Sequence, residues 1–391
     1  MKLSRRVMEL AESATLAVSG KAARMKAQGI DVVGFGAGEP DFDTPAPICE
    51  ATVAAIRAGQ TRYPKPASGL VKTKHAICTR LKRVNQLDYA QDQVIVTSGG
   101  KDAAYLLIHA LIDPGDEVII PVPYWVSYPE IVRLAGGVPV FVCGSESDDF
   151  KLSPQLLESA ITDRTRLFLF NSPSNPSGVT YHPDEVRALS NVLASYDVVV
   201  FSDEIYDQLL YDGQQTLSYA ATSERAYDQT ITANSASKTY AMPGFRLGYA
   251  AGPAPVIQAM AKLQSQSTSG AATFAQVALA AALEGTQDCI ETMRREFERR
   301  AVHMHGRLTS MPGVRCARPT GAFYCFPNVS NTYEKLGVGG SSEFARRLLE
   351  EAHVAVVPGV AFGLDAHVRL SFASGMEQID KGLDRIESFL R

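Results

Sequence analysis

The chain has 391 residues, 46% hydrophobic and 20% charged, with a formal net charge of −4. That length holds two domains, or one large domain and a satellite, and the charge balance leaves no broad basic surface for nucleic acid or acidic lipid. No apolar run follows the arginines near the N-terminus and the apolar stretch 271–283 is too short to cross a bilayer, which predicts a cytoplasmic protein with neither leader nor membrane span.

Along the chain, Gly34-Phe-Gly36-Ala-Gly38-Glu39 is the first glycine-rich segment. It puts Glu39 in the last place of a G-x-G-x-x-G pattern, which sets nucleotide binding aside. From about 90 to 250, short β-prone runs alternate with helical stretches. The predicted strands are 93–97, 117–121, 138–142, 167–171, 198–202, 230–233 and 248–251. Several are apolar throughout, as strands buried on both faces are, so the pattern predicts an α/β fold with a mostly parallel sheet covered by helices. Beyond 285 the pattern changes to a charged helix over about 284–309. A broken strand-like stretch (314–327), a helix near 341–352, strands at 354–357 and 367–371, and a terminal helix follow. These predict a small α+β domain of 286–391, completed by 1–44, beside a large domain of 45–285. The pairs Arg294-Arg295 and Arg299-Arg300 alternate with glutamates and read as a solvated helix face. The six cysteines are scattered without a C-x-x-C pair, which suits buried thiols better than a disulfide or zinc framework. His303 and His305, two apart on a helix, point away from each other, so no metal site is expected.

In a parallel sheet, ligands gather at the C-terminal ends of the strands. The chemistry-bearing residues fall there: Ser98-Gly99-Gly100-Lys101, Asn171 to Gly178, Asp203 with Tyr206, and Ser235 to Lys238. Lys238 sits among small hydroxyl residues, with Arg246 eight positions on. Its amine suits an aldehyde, and the hydroxyls and arginine suit a phosphate. Pyridoxal 5′-phosphate (PLP) carries both groups and is held by enzymes as a lysine Schiff base. Asp203 is placed to keep a pyridine nitrogen protonated, although taken alone it reads more readily as a helix N-cap. Tyr206 and Asn175 are placed to hydrogen-bond a ring oxygen, or else are a core tyrosine and a plain turn residue. Gly100 and Lys101 open a helix predicted over 102–111, whose first amides suit phosphate. Arg369, on a short strand, suits a carboxylate or a surface ion pair.

Taken in order, these residues resemble the class I, fold-type I aminotransferases, the aspartate aminotransferase family. The resemblance runs from Ala37-Gly38-Glu39-Pro40-Asp41-Phe42 to Arg369. Its most specific parts are Ser235-Ala-Ser237-Lys238 with Arg246, Asn175-Pro-Ser-Gly178 and Ser202-Asp-Glu-Ile-Tyr206. It implies a fold-type I PLP-dependent transferase: a large α/β/α domain around a mostly parallel seven-stranded sheet, and a smaller α+β domain. It further implies that Lys238 is the Schiff-base lysine and proton shuttle, that Asp203 pairs with the ring nitrogen, and that Trp125, the only tryptophan, packs on the ring. Asn175 and Tyr206 would bond the ring oxygen, and Gly100, Lys101, Ser235, Ser237 and Arg246 the phosphate. Arg369 and the Gly38 amide would hold the substrate α-carboxylate, with Trp125 and Asn175 beside it. Tyr63 matches a tyrosine that reaches the neighbouring subunit's phosphate, which implies a homodimer.

The branch with Pro-Tyr-Trp-Val-Ser-Tyr-Pro, here at 123–129, uses the lysine matching Lys101 for a distal carboxylate. That implies ping-pong transfer from aspartate to 2-oxoglutarate, giving oxaloacetate and glutamate from amino-acid and 2-oxo-acid substrates. Prephenate, aromatic or alanine transamination, or a PLP-dependent lyase activity, are the alternatives. The chain departs from the family at Thr73-Lys74, where Leu-Arg is common, which puts the packing of that helix in question. It also has Ser177 where threonine is usual.

Overall fold

A computed structural model describes residues 2–8 and 10–391 of the chain. Strand β1 (Val33–Gly34) stands apart from the predicted series. The series itself forms β2 (Val94–Thr97), β3 (Glu117–Val122), β4 (Val138–Cys143), β5 (Thr165–Asn171), β6 (Val199–Asp203), β7 (Thr230–Ser235) and β8 (Gly248–Ala251). They make one seven-stranded sheet in the order β2-β8-β7-β6-β5-β3-β4. Only β8 runs against its neighbours; the other pairs are parallel.

The reason the strands read as continuous apolar runs is visible in the packing. Ile95, Val118, Leu167, Leu169 and Phe201 meet the helices Gly100–Leu111, Tyr128–Ala135 and Ala254–Ser267 on one face. The intervening residues face the other way. Val94 and Val96 meet the helix Thr273–Glu284, and Phe168, Phe170 and Val200 meet the helix Pro183–Leu193. With both faces covered, alternation has no solvent side to mark. The α/β fold with its mostly parallel seven-stranded sheet is therefore as the sequence predicts.

Two smaller sheets lie in the C-terminal part of the chain, and one of them takes in a strand from the N-terminal part. β9 (Tyr324–Cys325), β11 (Val357–Pro358) and β12 (Val368–Ser371) form an antiparallel sheet with β12 in the centre, and β10 (Val354–Ala355) pairs in parallel with β1. The helices Asp288–Thr309, Ser341–Glu351 and Met376–Leu390 pack on them through Phe297, Met304, Leu348, Ile379 and Leu383. Among the described residues, no helix is long and apolar enough to cross a membrane.

Several expectations need correction. The single strand expected at 354–357 is two short strands serving different sheets, β10 beside β1 and β11 beside β12. The charged helix begins at Asp288, because Gln287 turns back and donates its side-chain amide to Ala282 O and Gly285 O, closing the helix before it. Arg300 is not on a solvated face. It lies in register with Met293, Phe297 and Met304, is buried, and bonds Glu296 at 2.8 Å and Asp41 at 2.7 Å. Its guanidinium also stacks on Phe42 and Phe297, so a charge enters an apolar face by bringing partners with it. The cysteines are not uniformly buried: Cys49 and Cys143 are exposed, and only Cys325 is buried. Thr73 and Lys74 leave no packing defect. Thr73 Oγ1 donates to Gln276 O at 3.0 Å, and Lys74 Nζ donates to Ser68 Oγ at 2.9 Å and to Gln91 O at 3.2 Å.

Beneath the C-terminal end of β6 lies a polar network. Arg80 and Asp207 pair at 2.5 Å with both side chains buried. Arg80 also donates to Asn85 Oδ1 at 2.6 Å, and Asn85 Nδ2 donates to Glu204 Oε2 at 2.8 Å. Removing one member of a buried pair strands the other charge, at about 3–5 kcal/mol. Asp207→Ala should therefore lower the free energy of unfolding, measured by chemical denaturation, by that much. The Arg80→Met/Asp207→Leu double variant should recover most of the loss, because it leaves no unpaired charge.

Candidate functional site

The parallel register brings the predicted residues to one edge of the sheet. Asn171 ends β5 opposite Asp203 at the end of β6, and Asp203 lies opposite Ala233 of β7. Asn234 then joins the two strand ends: its Nδ2 donates to Glu204 O at 2.9 Å, and its Oδ1 accepts from Ser235 N at 2.7 Å. One turn later, on the short helix Ala236–Thr239, comes Lys238. Asn171 Nδ2 donates to Asp203 O at 3.0 Å, while its Oδ1 accepts from Asn175 N at 2.9 Å, which fixes the Asn175 turn to the same edge. Two glycines let the next strand end approach. A Cβ on Gly248 would meet the Gly100 nitrogen at 2.6 Å, and one on Gly99 (φ 98°) would meet an Arg246 guanidinium nitrogen at 2.6 Å.

These elements enclose a cavity of about 260 Å³. Every predicted site residue except Tyr63 and Ser235 lines it. Ser235 is buried just behind the wall, its hydroxyl accepting from Ser237 N at 2.9 Å. Tyr63 is 80% exposed and lies outside the cavity.

The charges in this cavity are unusually dry. Lys238 Nζ hydrogen-bonds Gly38 O and sits 5.6 Å from the Phe323 ring centroid. Burial draws its pKa down to about 8, with the Glu39 charge pulling the other way. Asp203 Oδ2 accepts from Tyr128 Oη at 2.6 Å and Oδ1 from Ile205 N at 3.3 Å. Burial raises its pKa, and those hydrogen bonds and Lys238 oppose the rise. Tyr206 Oη lies 2.9 Å from Tyr324 Oη. Arg369, only 2% exposed, donates to Asn175 Oδ1 at 2.9 Å and to Gly36 O at 3.0 Å, and its Nε has no partner. Its guanidinium lies 4.5 Å from the Tyr324 centroid and 5.1 Å from that of Phe362. Among the described residues its hydrogen-bond partners are neutral, so a buried cation faces the cavity awaiting an anion.

At another part of the wall stand Gly100 and Lys101, at the start of the helix Gly100–Leu111, with Ser237 and Arg246. Arg246 donates to Pro243 O at 2.9 Å, and Asp102 accepts from Ser98 N at 2.8 Å, which pins the loop before the helix. Lys101 Nζ lies 5.1 Å from the Trp125 centroid. Cations, a hydroxyl and helix-start amides together form a donor set for phosphate. A desolvated amine, a buried carboxylate, and this phosphate donor set on the wall of one cavity match the aldehyde, ring nitrogen and phosphate of PLP.

Sequence reasoning missed Tyr128 and Tyr324, because each acts through a partner remote in the chain, Asp203 and Tyr206 respectively. It also missed Ser13, Thr15 and Leu16, which line the cavity from the N-terminal segment. No residue type or spacing there marked a site.

A family model described as aminotransferase class I and II matches residues 30–386. An aspartate aminotransferase of Geobacillus stearothermophilus is 47% identical over 390 residues, covering 100% of this chain and 99% of its own. An aspartate/prephenate aminotransferase of Nitrosomonas europaea is 45% identical over 397 residues, covering 100% of both chains. The solved aspartate aminotransferase of Thermus thermophilus with maleate matches with a TM-score of 0.94 at 42% identity, covering 100% of both chains. With fold, cavity and likeness in agreement over its whole length, the chain belongs to the class I and II aminotransferases and is an enzyme whose cofactor is pyridoxal 5′-phosphate.

Proposed function

We propose that this enzyme transfers the amino group of aspartate to 2-oxoglutarate in two half-reactions, giving oxaloacetate and glutamate. The observation that carries the reading is the shared cavity of Lys238, Asp203 and Arg369: an amine, a carboxylate and an unneutralised guanidinium, all desolvated. When bound, PLP supplies an aldehyde carbon and a ring that takes up electrons from the substrate's α-carbon.

The chain's residues divide the remaining work. Lys238 holds the cofactor's aldehyde carbon and, once released, moves the α-proton. An amine with a pKa of about 8 is neutral in roughly a tenth of molecules at pH 7, enough to act as a base. Asp203 places a negative charge at the ring nitrogen. Asn175 spends its carbonyl oxygen on Arg369, which leaves its amide N–H groups to donate to the ring oxygen with Tyr206. Trp125 covers a ring face. Gly100, Lys101, Ser235, Ser237 and Arg246 hold the phosphate. Arg369 and the Gly38 amide hold the α-carboxylate, and Lys101 the distal one.

The exposure of Tyr63 fits a role across a homodimer interface, where it reaches the partner's phosphate. A dimer of this kind would sediment at twice the mass of one chain. The large domain is read as 45–285 and the small one as 1–44 with 286–391; the pairing of β1 with β10 supports joining the two ends. A cytoplasmic location fits the lack of a membrane-crossing helix among the described residues. Prephenate is the second substrate reading, supported by relatives whose names pair it with aspartate.

Lys238→Ala should lower aspartate–oxoglutarate turnover by at least about a thousandfold while the fold persists. A panel of amino donors with oxoglutarate should place aspartate first; negligible aspartate turnover beside a faster aromatic or alanine donor would overturn the substrate assignment. In cofactor-free protein, reductive labelling of Lys238 by a small aldehyde should rise with pH through about 8. The neutral amine is the reactive form, and surface lysines should follow only near their usual value of about 10.4. Peptide mass spectrometry separates the two.

A further inference from the structure

We propose that Tyr128 is a positioning residue for Asp203, fixing which way that carboxylate faces and how strongly it acts as an anion beneath the cofactor ring. The inference rests on the PLP site described above and deepens it.

Tyr128 opens the helix Tyr128–Ala135 and is 2% exposed. Its hydroxyl donates to Asp203 Oδ2 at 2.6 Å, the shortest hydrogen bond that carboxylate receives. Its ring stands edge-on to Trp125, with centroids 5.2 Å apart and planes at 87°, and its backbone N donates to Trp125 O at 3.0 Å. One side chain therefore touches both the aromatic that faces the ring and the anion that meets the ring nitrogen.

Asp203 needs such a partner. No cationic side chain among the described residues hydrogen-bonds it; its only other donor is the Ile205 amide at 3.3 Å. The titratable groups that face it are Tyr128, Tyr206 and Lys238. A carboxylate buried on these terms drifts toward its neutral form, and a neutral carboxyl gives the ring nitrogen no counter-charge. A short phenol donor favours the ionised form and holds one oxygen in place, so the other contacts need not reorganise when a cation arrives.

If Tyr128 served only to fill space, phenylalanine would do as well, since the ring contact with Trp125 would survive. Tyr128→Phe in the otherwise complete protein separates the two roles. Trp125 is the only tryptophan, so quenching of its fluorescence reports PLP binding to the cofactor-free protein. The variant should bind PLP about tenfold to a hundredfold more weakly, the range for a lost hydrogen bond to a charged group. The pH midpoint of the bound cofactor's visible band should move up by about one unit, because a less firmly held ring proton withdraws fewer electrons. The kcat for aspartate should fall with KM nearly unchanged. In an Asp203→Asn background the same substitution should add almost nothing to the loss of affinity. Tyr128→His, which keeps a donor, should recover part of the affinity.

Unchanged PLP affinity and an unchanged pH midpoint in Tyr128→Phe, with wild-type protein binding normally, overturn this proposal alone. Full additivity with Asp203→Asn does the same. Should Tyr128→Phe not fold, Tyr128→His carries the test, and binding as weak as that of Asp203→Asn overturns the proposal. Wild-type protein that binds no PLP overturns the site itself.

Discussion

The parallel pairing of β6 with β7, closed at its end by the Asn234 side chain, is the constraint on which the site depends. Asn234 bonds both the Glu204 carbonyl and the Ser235 amide, so the two strands leave the sheet at a fixed separation. Asp203 precedes one of these bonds and Lys238 follows the other. Their mutual geometry is thus set by backbone, not by flexible side chains. The bonds from Asn171 to Asp203 and Asn175 carry the same register across to β5. A site built from strand ends inherits the stiffness of the sheet.

Around this frame the chain accumulates charges that water does not reach. Lys238, Asp203 and Arg369 are each held away from their ordinary protonation behaviour by burial. Such groups cost stability in the empty protein, and their partners lie in the ligand as much as in the chain. A more heavily bonded arrangement stands behind them. Arg80 bonds Asp207 and Asn85, and Asn85 bonds Glu204; Glu204 also accepts from Ser202 and Ser218, although burial still lifts its pKa to about 7. The carboxyl that faces the cavity and the one that chain donors surround beneath it occupy consecutive residues, Asp203 and Glu204. Alternation along the end of a strand turns one side chain to the ligand and the next to the support.

The substrate end depends on pieces that come from far apart. Gly38 and Asp41 lie on the segment after β1, Arg300 on the helix Asp288–Thr309, and Arg369 on β12. Arg300 holds Asp41 and stacks on Phe42, gripping the segment whose Gly38 carbonyl meets Lys238. Arg369 binds Gly36 of the same segment. Two buried guanidinium groups thereby position one short loop between the central sheet and the elements at the chain's ends.

The order of the sheet's strands along the chain, its covered faces and most of the cavity's residues were legible in the sequence. Apolar runs without alternation mean two buried faces, and small polar residues just after such runs mean strand ends carrying chemistry. A lysine among hydroxyl residues with an arginine eight positions on is local information, and local patterns survive in the order of residues. What the sequence left open was decided by contacts between residues with no fixed spacing. Arg300 reads as surface because its neighbours are charged, yet Asp41 and two aromatic rings draw it inward. Tyr128 reads only as part of the motif at 123–129, yet its hydroxyl finds Asp203 at the end of β6. Residues 354–357 read as one strand, but two separate sheets claim them. Residue order determined which chemical groups the chain carries and which edge of the sheet presents them. Only the folded chain decided which distant side chains hold those groups still, because hydrogen bonding and burial act through space and leave no period in the sequence.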